Sequence, residues 1–148
     1  MLLNYIYTLV KKRGVTEMPT YFEKLKLLSK RAYAPYSNFR VSAICLFKDG
    51  VEVIGVNVEN AAYAATICAE RTALAQVYAL GYRKTDIVKF YLYTDSKQAG
   101  SPCGICRQFL WELVDHRIPI EIYNQKGESY VLTIKDLLPY GFTKEDLQ

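Results

Sequence analysis

The sequence is poor in the residues that mark several large classes of protein. It holds a single histidine, His116, so a metal site built on paired histidines is excluded. Its four cysteines, two of them in one C-x-x-C, suit a reducing compartment and metal binding better than a secreted disulfide framework. A formal net charge of +4 comes without a dense stripe of Lys and Arg, which argues against a dedicated nucleic-acid binder. Internal repeats and low-complexity stretches are missing. Long apolar runs are missing too: the candidate, Met1 to Val10, is about half a bilayer span. Its basic cluster, Lys11-Lys12-Arg13, follows the apolar run instead of preceding it, and no A-x-A-like cleavage site appears. Residues 1–17 therefore read as an extension, expected to form a short helix packed on the domain or on a neighbouring subunit, and the protein is expected in the cytoplasm.

What remains is one domain, long enough at 148 residues to bury a core without disulfides. Thr20-Tyr21-Phe22-Glu23 fits a capping box, and Phe22, Leu25, Leu28 and Ala32 mark the apolar face of a helix expected to run until Pro35. Val41 to Phe47 and Val51 to Val58 are β-rich and flank Lys48-Asp49-Gly50, which predicts a hairpin. A second helix is expected from near Cys68 to Leu80, with Gly81 as its C-cap. Ile87 to Tyr93 reads as a strand buried on both faces. From Cys106, apolar residues at Phe109, Leu110, Leu113 and Val114 predict a third helix ending before Pro119. Ile120 to Tyr123 and Tyr130 to Ile134 form a second candidate hairpin, and Asp136 to Leu138 a short helical turn. This order of elements gives an α/β domain whose helices cover a shared sheet.

Both cysteine motifs fall at strand-to-helix junctions. Cys68-Ala69-Glu70-Arg71 opens the second helix, and Ser101-Pro102-Cys103-Gly104-Ile105-Cys106-Arg107 the third. Helix N-termini present unpaired N–H groups and the positive end of the dipole, which favours thiolates. Three thiolates can hold a tetrahedral zinc ion and leave its fourth position open, the arrangement of a catalytic site. Glu70 is the candidate proton carrier; it lies about 200° around the helix from Cys68 and is poorly placed to ligate beside it. Arg71, three positions on, is a same-face neighbour able to hydrogen-bond the sulfurs and offset their charge. A lone C-x-x-C would equally suit a redox dithiol or a structural zinc site. Cys45, inside the first strand, reads as a buried residue, and His116 as a surface or structural one.

A narrower pattern appears when five segments are taken together: Tyr33-Ala34-Pro35-Tyr36-Ser37-Asn38-Phe39, Gly55 through Tyr63, Cys68 through Ala73, Ser101 through Gln108, and Leu137-Leu138-Pro139. In this order they resemble the small homotetrameric zinc-dependent cytidine deaminases of pyrimidine salvage, within the cytidine and deoxycytidylate deaminase superfamily. The resemblance covers residues 18–148 and implies a cytidine deaminase-like fold with a mixed five-stranded sheet flanked by helices. It implies one zinc per chain on Cys68, Cys103 and Cys106, which activates a water to attack C4, with Glu70 shuttling protons to N3 and to the departing ammonia. Asn57 and Glu59 match the pair that binds the ribose hydroxyls, Phe39 the aromatic beside the base, and Phe142 the one contributed by a neighbouring subunit. Backbone groups near Ala69 and Ser101 would read the pyrimidine edge. Taken alone, Asn57-Val58-Glu59-Asn60 is a polar strand end, and Phe39 and Phe142 are ordinary core candidates. The chain departs from the pattern at Ser42, where glycine is common, and at Ala64-Ala65.

The implied substrates are cytidine and 2′-deoxycytidine, with no membrane partner. Three other readings compete. A nucleic-acid-editing deaminase shares the metal motif but needs an electrostatic strand channel, which the mild charge and short length disfavour. A blasticidin-type deaminase shares P-C-G-x-C-R, whereas Glu59-Asn60-Ala61 favours a nucleoside. A non-enzymatic zinc module needs a fourth protein ligand.

Overall fold

The computed structural model describes residues 18–148; the extension at residues 1–17, with its expected helix, lies outside the described residues. Helix α1 spans Tyr21–Ser29 and is capped as its sequence dictates, with Glu23 N–H donating to Thr20 Oγ1 (3.3 Å) and Thr20 N–H to the Glu23 carboxylate (2.8 Å). It does not reach Pro35. Arg31 and Ala32 turn back onto Leu28 and Ser29, and Tyr33 leaves the helix to form a parallel bridge with Val58, its N–H donating to Asn57 O (3.0 Å) and its carbonyl accepting Glu59 N–H (2.8 Å). A pairing partner more than twenty residues away thus ends the helix before proline can.

Five strands form one mixed sheet in the order β2-β1-β3-β4-β5: β1 Val41–Phe47, β2 Glu52–Val56, β3 Ile87–Thr94, β4 Pro119–Tyr123 and β5 Ser129–Thr133. Only the β3–β4 pair is parallel. The β1–β2 hairpin turns at Lys48–Gly50, where Gly50 takes φ 82°. The expected strand from Val51 to Val58 is shorter: its ladder stops at Val56, and Val58 makes only isolated bridges with Tyr33 and Ile67. β5 begins and ends one residue earlier than expected, because Thr133 leaves the strand to cap the short helix α4, Ile134–Leu137. Helix α2 is Ala69–Ala79 and helix α3 is Gly104–Leu113; α3 starts before Cys106, with Cys103 as its N-cap. Among the described residues no helix is long and apolar enough to cross a membrane.

Strand alternation makes a three-layer sandwich. Phe47, Val53, Phe90, Leu92, Ile120 and Ile122 face α2 and α3 and pack with Ala69, Ala73, Leu74, Val77, Leu110 and Val114. Ile44, Tyr91 and Tyr93 face the other way and are covered by Leu25 and Leu28 of α1. The unusual Ser42 is buried, and its hydroxyl donates to the Leu25 carbonyl at 2.8 Å, tying β1 to α1.

One glycine fixes where α2 sits. A Cβ on Gly55 of β2 would lie 2.2 Å from the Ala69 carbonyl oxygen and 2.5 Å from the Ala73 amide nitrogen, so strand and helix meet backbone to backbone. Gly55→Ala is expected to cost about 3 kcal/mol or more, since the clash is with main chain that cannot swing aside. Urea denaturation monitored by circular dichroism measures it, and a midpoint equal to that of the unsubstituted protein would refute the close approach.

Candidate active site

The close seating of α2 on β2 places its first turn beside that of α3. Cys68 is the N-cap of α2 and Cys103 the N-cap of α3, while Cys106 lies in the first turn of α3. Neither N-cap cysteine caps its own helix through a side-chain hydrogen bond, which leaves both sulfurs free to converge. The three sulfurs all lie within 4.8 Å of one another, with Cys68 Sγ and Cys103 Sγ 3.9 Å apart. Two sulfurs at the usual ~2.3 Å from one tetrahedral zinc lie about 3.8 Å apart, so the trio fits zinc with little adjustment. No other cluster of three or more such ligand types occurs among the described residues. Cys45 is fully buried in β1, and burial pushes its thiol up to about 12, the state of an inert core residue.

The surroundings of Cys68 favour its thiolate. Hydrogen bonding from Cys106 and from Arg71 draws the Cys68 thiol down to about 5, while Cys106, beside that thiolate and buried, is held up. Arg71 Nη2 lies 3.9 Å from Cys68 Sγ and donates to the Thr66 carbonyl at 3.0 Å. Its Nε is buried with no hydrogen-bond partner, so the guanidinium keeps donor capacity beside the sulfurs.

Glu70 is 4% exposed in the first turn of α2, and burial, with the Cys68 charge adding to it, raises its carboxyl to about 7. A carboxyl balanced near neutrality can both take and return a proton. Ala69, beside it, is fully buried, with its carbonyl oxygen packed against Gly55 of β2.

A second group gathers where β2 runs out. Asn57 is buried; its Oδ1 accepts Val41 N–H and its Nδ2 donates to the Phe39 carbonyl, both at 2.8 Å. Glu59 Oε2 accepts the amides of Tyr36 (2.9 Å) and Ser37 (3.2 Å), and its Oε1 accepts the Ser37 hydroxyl. These donors hold the Glu59 carboxyl below its ordinary value, the Ser37 hydroxyl contributing most. Phe39 is 40% exposed on the loop they secure, so it is no core residue.

Phe142 stands elsewhere, on the C-terminal segment, with 54% of its surface exposed. Helix α3 holds that segment: Gln108 Nε2 donates to the Phe142 carbonyl at 2.9 Å, and Gly141 packs so closely on Trp111 that a Cβ there would lie 2.6 Å from the indole. His116 stacks on Trp111 at 3.7 Å and hydrogen-bonds its carbonyl, a structural role.

Two residues have parts in the site that the sequence alone left without a role. Arg107 donates to Pro102 O (2.8 Å), Ser101 Oγ (2.8 Å) and Leu137 O (2.9 Å), clamping the loop that delivers Cys103 to the end of α4. Its only signal is its position directly after Cys106. Ser37 joins Glu59 to the Phe39 loop, and its signal is a serine two residues before an aromatic in a turn sequence.

Comparison with known proteins follows the same lines. Residues 16–122 match the family model described as the cytidine and deoxycytidylate deaminase zinc-binding region. A cytidine deaminase of Halalkalibacterium halodurans is 44% identical over 116 residues, covering 78% of this chain and 86% of its own. One from Mycoplasma genitalium is 37% identical over 122 residues, covering 82% of this chain and 92% of its own. The crystal structure of cytidine deaminase from Burkholderia pseudomallei superposes with a TM-score of 0.79 at 38% identity, covering 84% of this chain and all of that one.

Proposed function

Because this chain belongs to the cytidine and deoxycytidylate deaminase family, we propose that it deaminates both cytidine and 2′-deoxycytidine, using Glu70 as proton shuttle, in the cytoplasm and as a homotetramer. It is a zinc-dependent hydrolase that converts cytidine to uridine and ammonia. The observation that carries the mechanism is a buried carboxyl, Glu70, in the first turn of the helix whose N-cap is Cys68, beside three converging sulfurs at two helix N-termini.

Held by Cys68, Cys103 and Cys106, zinc supplies Lewis-acid activation of water at neutral pH. The Glu70 carboxylate takes one proton from the attacking water and delivers it to N3 of the pyrimidine as the oxygen bonds to C4. It then takes the second proton and passes it to the exocyclic amine, so the C4–N bond breaks and ammonia leaves. Arg71 keeps the sulfurs charged, and the backbone at Ala69 and Ser101 faces the pyrimidine edge. Asn57 has one N–H left after its two backbone bonds, and Glu59 has a lone pair left after its three, enough for a ribose hydroxyl to be held between them. Phe39 lies along the base. Residues 18–148 form the catalytic domain in this reading, and residues 1–17 an addition to it.

Ammonia release from cytidine, 2′-deoxycytidine, cytosine and a single-stranded oligonucleotide, assayed side by side, tests the substrate class. Both nucleosides are expected to exceed the other two by at least about 100-fold in kcat/KM, since a substrate without a free ribose to grip is positioned as well as bound less firmly. Preferred turnover of the oligonucleotide would reject the nucleoside assignment.

Phe142, exposed and anchored through its own backbone, is proposed to reach the pocket of a neighbouring subunit. Light scattering is then expected to give about four times the 17.0 kDa chain mass. Co-expressing Phe142→Ala with Glu70→Gln should yield mixed oligomers more active than either variant alone, because a chemically intact pocket receives an intact aromatic from its neighbour. Activity no higher than the sum of the two would place Phe142 outside the neighbour's pocket.

A further inference from the structure

One hydroxyl lies between the two halves of the proposed nucleoside site. Ser37 Oγ donates to Glu59 Oε1 and accepts the Phe39 amide at 3.0 Å. On one side is therefore the carboxylate assigned to the sugar, and on the other the backbone of the ring assigned to the base. Asn38 between them takes φ 57°, the left-handed conformation that asparagine tolerates, and its N–H donates to the Ala34 carbonyl at 3.1 Å. This turn lets the Ser37 side chain reach forward two residues. The tip of the Phe39 ring comes near Gly100: a Cβ there would lie 3.7 Å from Phe39 Cζ, an ordinary packing distance. The tip of the ring lies beside Gly100, and its backbone end is set by whatever fixes its amide.

We propose that Ser37 is a positioning residue that couples sugar recognition to base stacking: the carboxylate that takes a ribose hydroxyl also orients, through Ser37 Oγ, the loop that aligns Phe39. The coupling rests on the reading that Glu59 faces the sugar and Phe39 the base. Its physical basis is a charge-assisted hydrogen bond whose donor is also an acceptor. A hydroxyl polarised towards a carboxylate becomes a better acceptor, so the Ser37–Glu59 bond strengthens the bond from Phe39 N–H. Asn57 secures the same loop from its other end, through Phe39 O and Val41 N, but touches neither Ser37 nor Glu59 through a side-chain bond in doing so. The consequence is a site in which one carboxylate serves both halves of the nucleoside, so that losing it weakens the hold on the sugar and the alignment of Phe39 together.

The zinc-loaded, full-length protein provides the test, with uridine binding measured by calorimetry and cytidine and cytosine turnover measured alongside. Ser37→Ala is expected to weaken uridine binding and raise the KM for cytidine by roughly tenfold, with a much smaller change in kcat, and Ser37→Thr to restore both to within about twofold. Glu59→Gln and Phe39→Leu should be non-additive in uridine binding by about fivefold when Ser37 is present, and additive once Ser37→Ala is introduced. Normal uridine binding by Ser37→Ala, or non-additivity that survives Ser37→Ala, would overturn the coupling. If instead Glu59→Gln leaves the preference for cytidine over cytosine unchanged, the sugar assignment itself is wrong and takes the coupling down with it.

Discussion

Replacing Glu70 by glutamine should leave zinc bound at about one ion per chain and lower kcat by at least about 10²–10⁴-fold. The two side chains have nearly the same shape, and Glu70 is 4% exposed in a packed helix turn, so the substitution opens no cavity. It also removes a carboxyl whose ionisation burial disfavours, which gives the fold no reason to weaken. What disappears is proton transfer: an amide can donate to or accept from a water but cannot carry its proton to N3 and then to the amine. Steady-state kinetics with metal analysis on the same sample distinguish the outcomes. Near-normal turnover in a zinc-loaded variant would exclude Glu70 as the shuttle, and loss of zinc would reassign it to holding the metal or the fold.

Removing a ligand should act on the metal itself. Alanine at Cys68, Cys103 or Cys106 is expected to reduce zinc to well under one tenth of an ion per chain after dialysis, with activity falling in proportion. Cys45→Ala and His116→Ala should keep full occupancy. Three donors within 4.8 Å form the only such cluster among the described residues, and two thiolates alone make a far weaker tetrahedral site. The three variants should also differ. Cys106 is fully buried within the first turn of α3, whereas Cys103 is exposed at the N-cap, so Cys106→Ala should show the larger fall in melting temperature. Metal loss in Cys45→Ala equal to that in Cys103→Ala would point to a closed structural site.

The features legible in the sequence are those written locally. The capping box at Thr20, the hairpin at Asp49-Gly50 and the place of each cysteine motif at its own helix start each depend on residues a few positions apart. The end of α1 was not legible, because Tyr33 is drawn away by Val58 and Glu59, which nothing in the helix announces. The roles of Gly55 and Arg107 were hidden for a similar reason. Gly55 is defined by the close approach of a helix backbone distant in sequence, and Arg107 by acceptors in one loop and at the end of a distant helix, two of them main-chain carbonyls. Asn57, Glu59, Phe39 and Phe142 were singled out only through family resemblance. Their chemistry as isolated residues is that of any polar strand end or any aromatic, and the substrate that would distinguish them leaves no periodicity in the chain.

The strand order has a consequence for how the site comes into being. Cys68 follows the β1–β2 hairpin, but Cys103 and Cys106 follow β3, which must pair with β1 across the intervening α2 and then accept β4 in parallel on its free edge. Such long-range pairings close slowly compared with a hairpin. The complete zinc site is therefore assembled only when the centre of the sheet is in place, and the ion cannot act as an early nucleus for the chain. Zinc uptake becomes a clock for late folding: a refolding experiment in which β-sheet signal and metal capture are followed together should show the sheet first and the metal after it.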